Sequence, residues 1–295
     1  MQLFHTISAL RDYLSKFRSG DERSGRSVGF VPTMGALHAG HLSLIERSRQ
    51  TDHIVIVSIF VNPLQFAPGE DLDQYPRPKE ADQSLCESAG VDAIFMPSPT
   101  VLYGTARPNL STVTQVVPPV TMANILCGRT RPTHFQGVAT VITKLLNIVQ
   151  PTHAYFGQKD AQQVAILKRL KQDLNLPGEI VVCPIVRESD GLALSSRNRY
   201  LSERGRQQAT VLQKSLRAAK AAFVQGERSC EVLIATAKAV MSSEPTVILD
   251  YLALVHPDTL KPLEFIETVG MMAIAATVGT PENQTGSAKE NALNP

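Results

Sequence analysis

The chain has almost no net charge: 29 Lys and Arg stand against 27 Asp and Glu, a formal balance of +2 over 295 residues. With no whole-chain field to attract a polyanion, nucleic acid is not an expected partner, and any anion site must be local. No apolar run approaches the roughly 18 residues that span a bilayer, so no membrane partner is expected. The N-terminal apolar residues are interrupted by His5, Arg11 and Asp12, so no secretory h-region forms. The four cysteines, Cys86, Cys127, Cys183 and Cys230, make no CxxC pair. That excludes a zinc framework and a disulfide scaffold, and suits reduced, buried thiols in a cytoplasmic protein. Internal repeats and a P-loop pattern are also lacking.

What is present is the material of a globular core, with 43% hydrophobic and 19% charged residues. Residues 6–17 predict a short amphipathic helix, and 19–25 a polar loop. Residues 28–31 predict a strand ending at Pro32, and 42–49 a helix. The stretch 53–61 is apolar almost throughout, as a parallel strand buried on both faces must be. Helices follow at 78–89, 137–149 and 160–174, with strands at 93–96, 154–156 and 179–186. This alternation predicts an α/β fold: a Rossmann-like doubly wound parallel sheet over residues 1–185. Beyond Arg199 the texture changes. One long helix over 202–225, a second over 230–241, and strands at 247–255 and 271–278 predict a smaller C-terminal α+β domain spanning 186–279. Residues 280–295, rich in Asn, Thr, Ser and Gly, are expected to be a disordered tail.

Four segments carry chemistry. Met34-Gly35-Ala36-Leu37-His38-Ala39-Gly40-His41 lies between a strand and a helix, where amide groups and the helix dipole favour phosphate. The glycines allow close backbone approach, and the two histidines, three apart, share a helix face. Asn62 and Gln65 follow the buried strand and offer uncharged donors and acceptors, suited to a hydroxylated acid. Gly157-Gln158-Lys159-Asp160, with Gln162 and Gln163 behind it, again joins a strand to a helix. Lys159 is placed to meet phosphate, and Asp160 to cap the helix. Ser195-Ser196-Arg197 makes a compact anion clamp at the junction of the two domains. Asp82 reads as part of a solvated helix face, and His134 as a wall of the acid pocket.

His38-x-Gly40-His41 resembles the HxGH signature of the nucleotidylyltransferase and class I tRNA synthetase superfamily. The four segments in this order, together with residues 71–77 and 131–140, resemble the pantothenate synthetases (pantoate–β-alanine ligases) over residues 3–278. The resemblance implies an enzyme, with a homodimeric assembly, that activates pantoate with ATP as pantoyl-adenylate. It then transfers the acyl group to β-alanine, releasing AMP. It implies that residues 34–41, Gly157, Gln158, Lys159, Asp160, Val186, Leu194, Ser195, Ser196 and Arg197 bind ATP, with His41 as proton donor and Mg²⁺ on the phosphates. Gln65, Gln163 and Asn62 would contact the acid and β-alanine. The carboxylate of pantoate is already ionised at neutral pH, so the work is positioning and charge neutralisation, assigned to His38, His41, Lys159 and Arg197. Leu194 stands where the family usually has Met. After Gly279 the chain departs from the family pattern, which leaves the last strand of the smaller domain unaccounted for. A rival reading is another adenylyltransferase with a phosphate-bearing acceptor. It would want extra basic residues where Asn62, Gln65 and Gln163 are neutral. A tRNA synthetase would want a basic anticodon-binding part, and a nucleotide-binding module without activity would have lost His41, Lys159 or Arg197.

Overall fold

Strands that are apolar at every position need cover on both faces, and the layered order of elements supplies it. The computed structural model describes residues 1–18, 25–278 and 287–291. The expected polar loop therefore lies, except for Gly25, outside the described residues. In chain order the first part contains β1 (Gln2–Phe4), α1 (Ile7–Ser15), β2 (Val28–Thr33), α2 (Ala39–Thr51), β3 (Ile54–Ile59), α3 (Lys79–Ser88) and β4 (Ala93–Phe95). Three short helices follow: α4 (Pro99–Tyr103), α5 (Val120–Ala123) and α6 (Cys127–Thr130). Then come α7 (His134–Val149), β5 (His153–Gly157), α8 (Ala161–Asp173) and β6 (Glu179–Cys183). The six strands form one sheet in the order β1-β4-β3-β2-β5-β6, and every pairing is parallel.

The pleat sorts the side chains. Val28, Phe30, Ile54 and Ile56 join α1, α7 and α8 in one core cluster. Their neighbours Val31, Val55 and Val57 join Leu44 and Ile45 of α2 and Cys86 of α3 in the other. β2 runs through Pro32 to Thr33, two residues beyond the expected end. Its register with β5 stops at Phe30, so the N–H that Pro32 lacks is not needed on that side.

The remaining elements are α9 (Glu203–Ala209), α10 (Val211–Val224), α11 (Cys230–Met241), β7 (Val247–Val255), β8 (Met271–Val278) and β9 (Ser287–Asn291). The three strands make an antiparallel sheet in the order β7-β8-β9. The single helix expected at 202–225 is two. Ser202 caps the first by accepting from Gly205 N at 3.0 Å. At Thr210 the hydroxyl donates back to the Gln207 carbonyl at 2.7 Å and the backbone tightens into a three-residue turn. The tail also differs from expectation: residues 287–291 pair with β8. An open strand edge is a template for another strand whatever its side chains, which is why polar composition alone misreads this segment. The rest of 279–295 lies outside the described residues. A third cluster joins the two sheets, with Tyr251, Val255, Met271 and Ala273 packed on Met122, Leu126, Phe135, Ala161 and Ile166. All four cysteines are free and buried, and no helix among the described residues is long and apolar enough to cross a membrane.

One close contact fixes where α7 begins. A Cβ on Gly137 would meet the Leu64 carbonyl oxygen at 2.3 Å and Gln65 N at 2.6 Å. Because those atoms are backbone, Gly137→Ala should cost about 1–3 kcal/mol of unfolding free energy, the range for overpacking. Urea unfolding of the variant checks it; a midpoint equal to the parent's would contradict the contact.

Candidate active site

In the sheet order, β2, β3 and β4 step one way and β5 and β6 the other, so the chain reverses direction between β2 and β5. Ligands bind outside the carboxyl ends of strands at such a reversal. A cleft of about 250 Å³ opens there. Its walls include Met34, His38, Gly40 and His41 after β2, and Asn62 and Gln65 after β3. Gly157, Lys159, Asp160 and Gln163 follow β5, and Val186, Leu194, Ser195, Ser196 and Arg197 complete the walls. Gly35, Ala36, Leu37, Ala39 and Gln158 do not line it.

The His-x-Gly-His spacing has a local cause. His38 is the N-cap of α2 and His41 its third residue. The His38 Nδ1 accepts from Gly40 N at 3.1 Å, and the His41 Nδ1 accepts from His38 N at 3.3 Å. This is a capping box built from imidazoles. Gly40 is required because a Cβ there would meet the His38 ring at 2.9–3.0 Å. The rings lie 4.1 Å apart. Since each Nδ1 accepts a backbone N–H, each ring carries its proton on Nε2. Burial, with Lys159 nearby, lowers the His38 pKa from 6.5 to about 4; burial and then His38 lower that of His41 to about 3. Both rings are therefore neutral N–H donors at pH 7. In this state they can serve a phosphate by hydrogen bonding from Nε2–H, without carrying a charge of their own.

The loop before the capping box is held from behind. Asp82, 1% exposed, accepts from Ala36 N at 2.9 Å and Leu37 N at 2.8 Å. Gly35 and Ala36 both have positive φ, 83° and 51°, which turns the Ala36 and Leu37 amides toward α3 rather than toward the cleft. Asp82 is thus a buried brace and not part of a solvated face. Burial raises its carboxyl pKa, against the two amides that lower it. The residue pattern of α3 gives no hint of this, because the partner amides lie 45 and 46 residues away.

Asn62 is used up by the protein. It donates to Gln65 Oε1 and the Gly137 carbonyl, and accepts from Leu64 N and the Tyr103 hydroxyl. At 1% exposure it shapes the wall and has no group left for a ligand, contrary to expectation. Gln65 Nε2 meets Met34 Sδ at 2.9 Å. Gln162 is likewise structural, accepting from Cys127 N and donating to the Met122 and Ile125 carbonyls, whereas Gln163 reaches the cleft. Asp160 occupies the cap position of α8 without a side-chain cap bond and pairs with Lys159 at 3.4 Å.

Three charged residues around the cleft are not singled out by the sequence reading. Asp71 holds Arg197 through two bonds of 3.0 and 3.2 Å. Burial opposes the Arg197 charge, but Asp71 outweighs it and keeps the guanidinium pKa above its usual value. Next to it in sequence, Glu70 holds Arg131 at 2.8 Å. Arg131 and His134 both line the cleft, and His134 Nδ1 lies 2.9 Å from the Gln65 carbonyl. Tyr75 stands beside Ser196, and Tyr251 comes from β7. The family resemblance of segments 71–77 and 131–140 is the available signal for Asp71, Tyr75 and Arg131; Tyr251 carries none. Among the cleft cations named, Lys159, Arg131 and Arg197 each face a carboxylate, so the cleft without ligand is close to neutral. A magnesium ion is usually carried on phosphate oxygens with one or two carboxylates. Among the described residues no three His, Cys, Asp or Glu side chains converge, but Asp160, half-exposed on the wall, fits that modest demand.

The chain matches the family model described as Pantoate-beta-alanine ligase over residues 2–283. It is 52% identical over 296 residues to a bifunctional pantoate ligase/cytidylate kinase of Trichormus variabilis, covering 95% of this chain and 55% of that protein. To the protein of the same name from Synechococcus elongatus it is 58% identical over 254 residues, covering 86% and 48%. The chain thus spans about half the length of the curated relatives it matches. Among solved structures, pantothenate synthetase from Thermus thermophilus superposes with a TM-score of 0.89 at 40% identity, covering 99% of both chains. Pantoate-beta-alanine ligase from Francisella tularensis, complexed with beta-gamma ATP and beta-alanine, gives 0.75 at 32% identity, covering 99% and 97%.

The histidine pair links stability to pH. Unfolded, both rings take up protons near 6.5; folded, they resist until about 4 and about 3. Their contribution is complete above about pH 6.5 and is lost as pH falls toward 4, where only the unfolded chain binds the protons. Urea unfolding between pH 7.5 and 4.5 should show this slope, and the double variant His38→Asn/His41→Asn should flatten it. An unchanged slope would mean that neither ring is held neutral.

Proposed function

The chain belongs to the pantoate-beta-alanine ligase family, and we propose that it condenses pantoate with β-alanine at the expense of ATP. The observation that carries the reading is the imidazole capping box of α2 facing Lys159 across the strand reversal, in a chain that superposes on a relative complexed with beta-gamma ATP and beta-alanine. In the first step a carboxylate oxygen of pantoate forms a bond to the α-phosphorus of ATP. The bond from that phosphorus to the bridging oxygen breaks, and pyrophosphate leaves with the electron pair. In the second step the free amine of β-alanine attacks the acyl carbon; AMP leaves, and the amine loses a proton as the amide forms.

The residues divide this work by charge type. The Nε2–H groups of His38 and His41 donate to phosphate oxygens without changing protonation state, which is stabilisation by oriented dipoles. Lys159 supplies a mobile point charge, and Arg197, steadied by Asp71, a planar fork. Magnesium, when bound with the triphosphate, would add charge neutralisation, and Asp160 is the wall residue that would hold it. Gln65 and Gln163 suit the hydroxyl and carboxyl groups of the acid, with Arg131 close by. Residues 1–185 serve as the nucleotide- and pantoate-binding part and 186–279 as a lid, in a cytoplasmic homodimer; these points rest on the family resemblance.

Pyrophosphate exchange into ATP should require pantoate. Exchange driven instead by a mononucleotide would select an adenylyltransferase with a phosphate-bearing acceptor. His41→Ala should slow adenylate formation by about 10²–10³-fold, the loss expected for one transition-state donor; a variant that forms adenylate at the parent rate rules out that role. Gln65→Ala should weaken pantoate binding and spare ATP, as titration calorimetry would read.

A further inference from the structure

The two strands that flank the cleft are barely joined. β2 is registered with β3 through six residue pairs, and β5 with β6 through five. Between β2 and β5 there are only two, Gly29 with His153 and Phe30 with Ala154. Thr152 adds two bonds to Val28, again at the amino ends of the strands. Past Phe30 nothing in the ladder holds β5 to β2, and the strands part to make room for a ligand. The angle between them must be set at the tied end.

A buried carboxylate sits there. Asp52, at the C-cap of α2, has a fully buried side chain. Its Oδ1 lies 2.7 Å from His153 Nδ1 and its Oδ2 accepts from the Tyr155 hydroxyl at 2.6 Å; both partners are on β5. Ser48, one turn earlier in α2, approaches the same Oδ2 at 3.5 Å. On the β2 side the knot rests on Gly29, where a Cβ would meet Ser48 Oγ at 2.0 Å and Asp52 Oδ2 at 2.4 Å. Glu179 of β6 faces the outer edge of His153 at 4.0 Å. Charge-assisted bonds of this length are the strong ones. Three elements thus meet in one knot: β2 by close approach, α2 by the carboxylate, β5 by two side chains.

Two of those elements carry reacting-site groups at their other ends. α2 has 13 residues, about 20 Å at 1.5 Å per residue, and begins with the His38 and His41 box. β5 ends at Gly157, two residues before Lys159. We propose that Asp52 is a positioning residue: gripped by His153 and Tyr155, it fixes the angle at which β5 leaves β2 and so the distance across which the histidine pair and Lys159 face each other.

The inference rests on the adenylating function proposed above for its kinetic readout, and on geometry alone for its structural one. Pantoate-dependent pyrophosphate exchange would be measured on the full chain and on Asp52→Ala, Tyr155→Phe and Leu10→Ala, well below each variant's Tm. Leu10 is fully buried on α1, outside the knot, and serves as a control for lost stability. Asp52→Ala should lower kcat by roughly tenfold to a hundredfold with little change in KM, as a small misplacement of reacting groups does. Tyr155→Phe, which preserves the packing volume, should lower it less, and Leu10→Ala should keep kcat at a comparable loss of Tm. Equal kcat in Asp52→Ala and the parent, or an equal kcat loss in Leu10→Ala, overturns the proposal. Should the parent show no exchange, the proposed reaction fails while this inference is still tested. Crystal structures of parent and Tyr155→Phe would then be compared for the separation of Lys159 Nζ from His41 Nε2, which must shift; an unchanged separation overturns the proposal.

Discussion

Two parallel strands whose crossovers leave in opposite directions cannot share a covering helix at their carboxyl ends. At β2 and β5 this leaves a gap with exposed helix starts on either side. The cleft residues described above are arranged around that gap. The head of α2 enters from one side, the Gly157–Asp160 turn from the other, and the 195–197 segment from beyond β6. The sheet core fixes the register of the strands on each side of the gap, since the apolar strands are covered on both faces and a one-residue slip would turn their side chains to the wrong face.

The electrostatics of the gap differ from a simple positive pocket. Lys159, Arg131 and Arg197 are each matched to a carboxylate, and the two imidazoles are neutral. An unpaired cluster of cations would be costly to hold in a half-buried cleft. Pairing holds the guanidinium groups in fixed orientations. The neutral imidazoles differ: their donors are fixed in direction by backbone bonds, so no reorganisation is needed to present them to an anionic group. The two kinds of group are complementary, one supplying field and the other direction.

Much of this is readable from residues. The His-x-Gly-His spacing after a strand marks a helix start with both rings on one side, and the apolar run at 53–61 announces a strand covered on both sides. Strand–turn–helix order alone puts Lys159 and His41 at the same edge of the sheet. Asn62 misleads because a buried amide and a ligand-facing amide look alike in sequence; only its four protein partners decide between them. Residues 287–291 mislead because strand pairing depends on the backbone edge of β8 and not on the polar side chains of the added strand.

The sequence by itself determined what is local: period, caps, turns, and which chemical groups stand after which strand. Such features depend on residues a few positions apart, where chain connectivity already supplies proximity. Tertiary structure alone decided the partners of charge: Asp82 with the loop at 36–37, Asp71 with Arg197 at a separation of 126 residues, Asp52 with His153 at 101. Ion pairs and buried carboxylates act through space over a few ångströms, and nothing in a linear order of residues states which distant groups the fold will bring within that range.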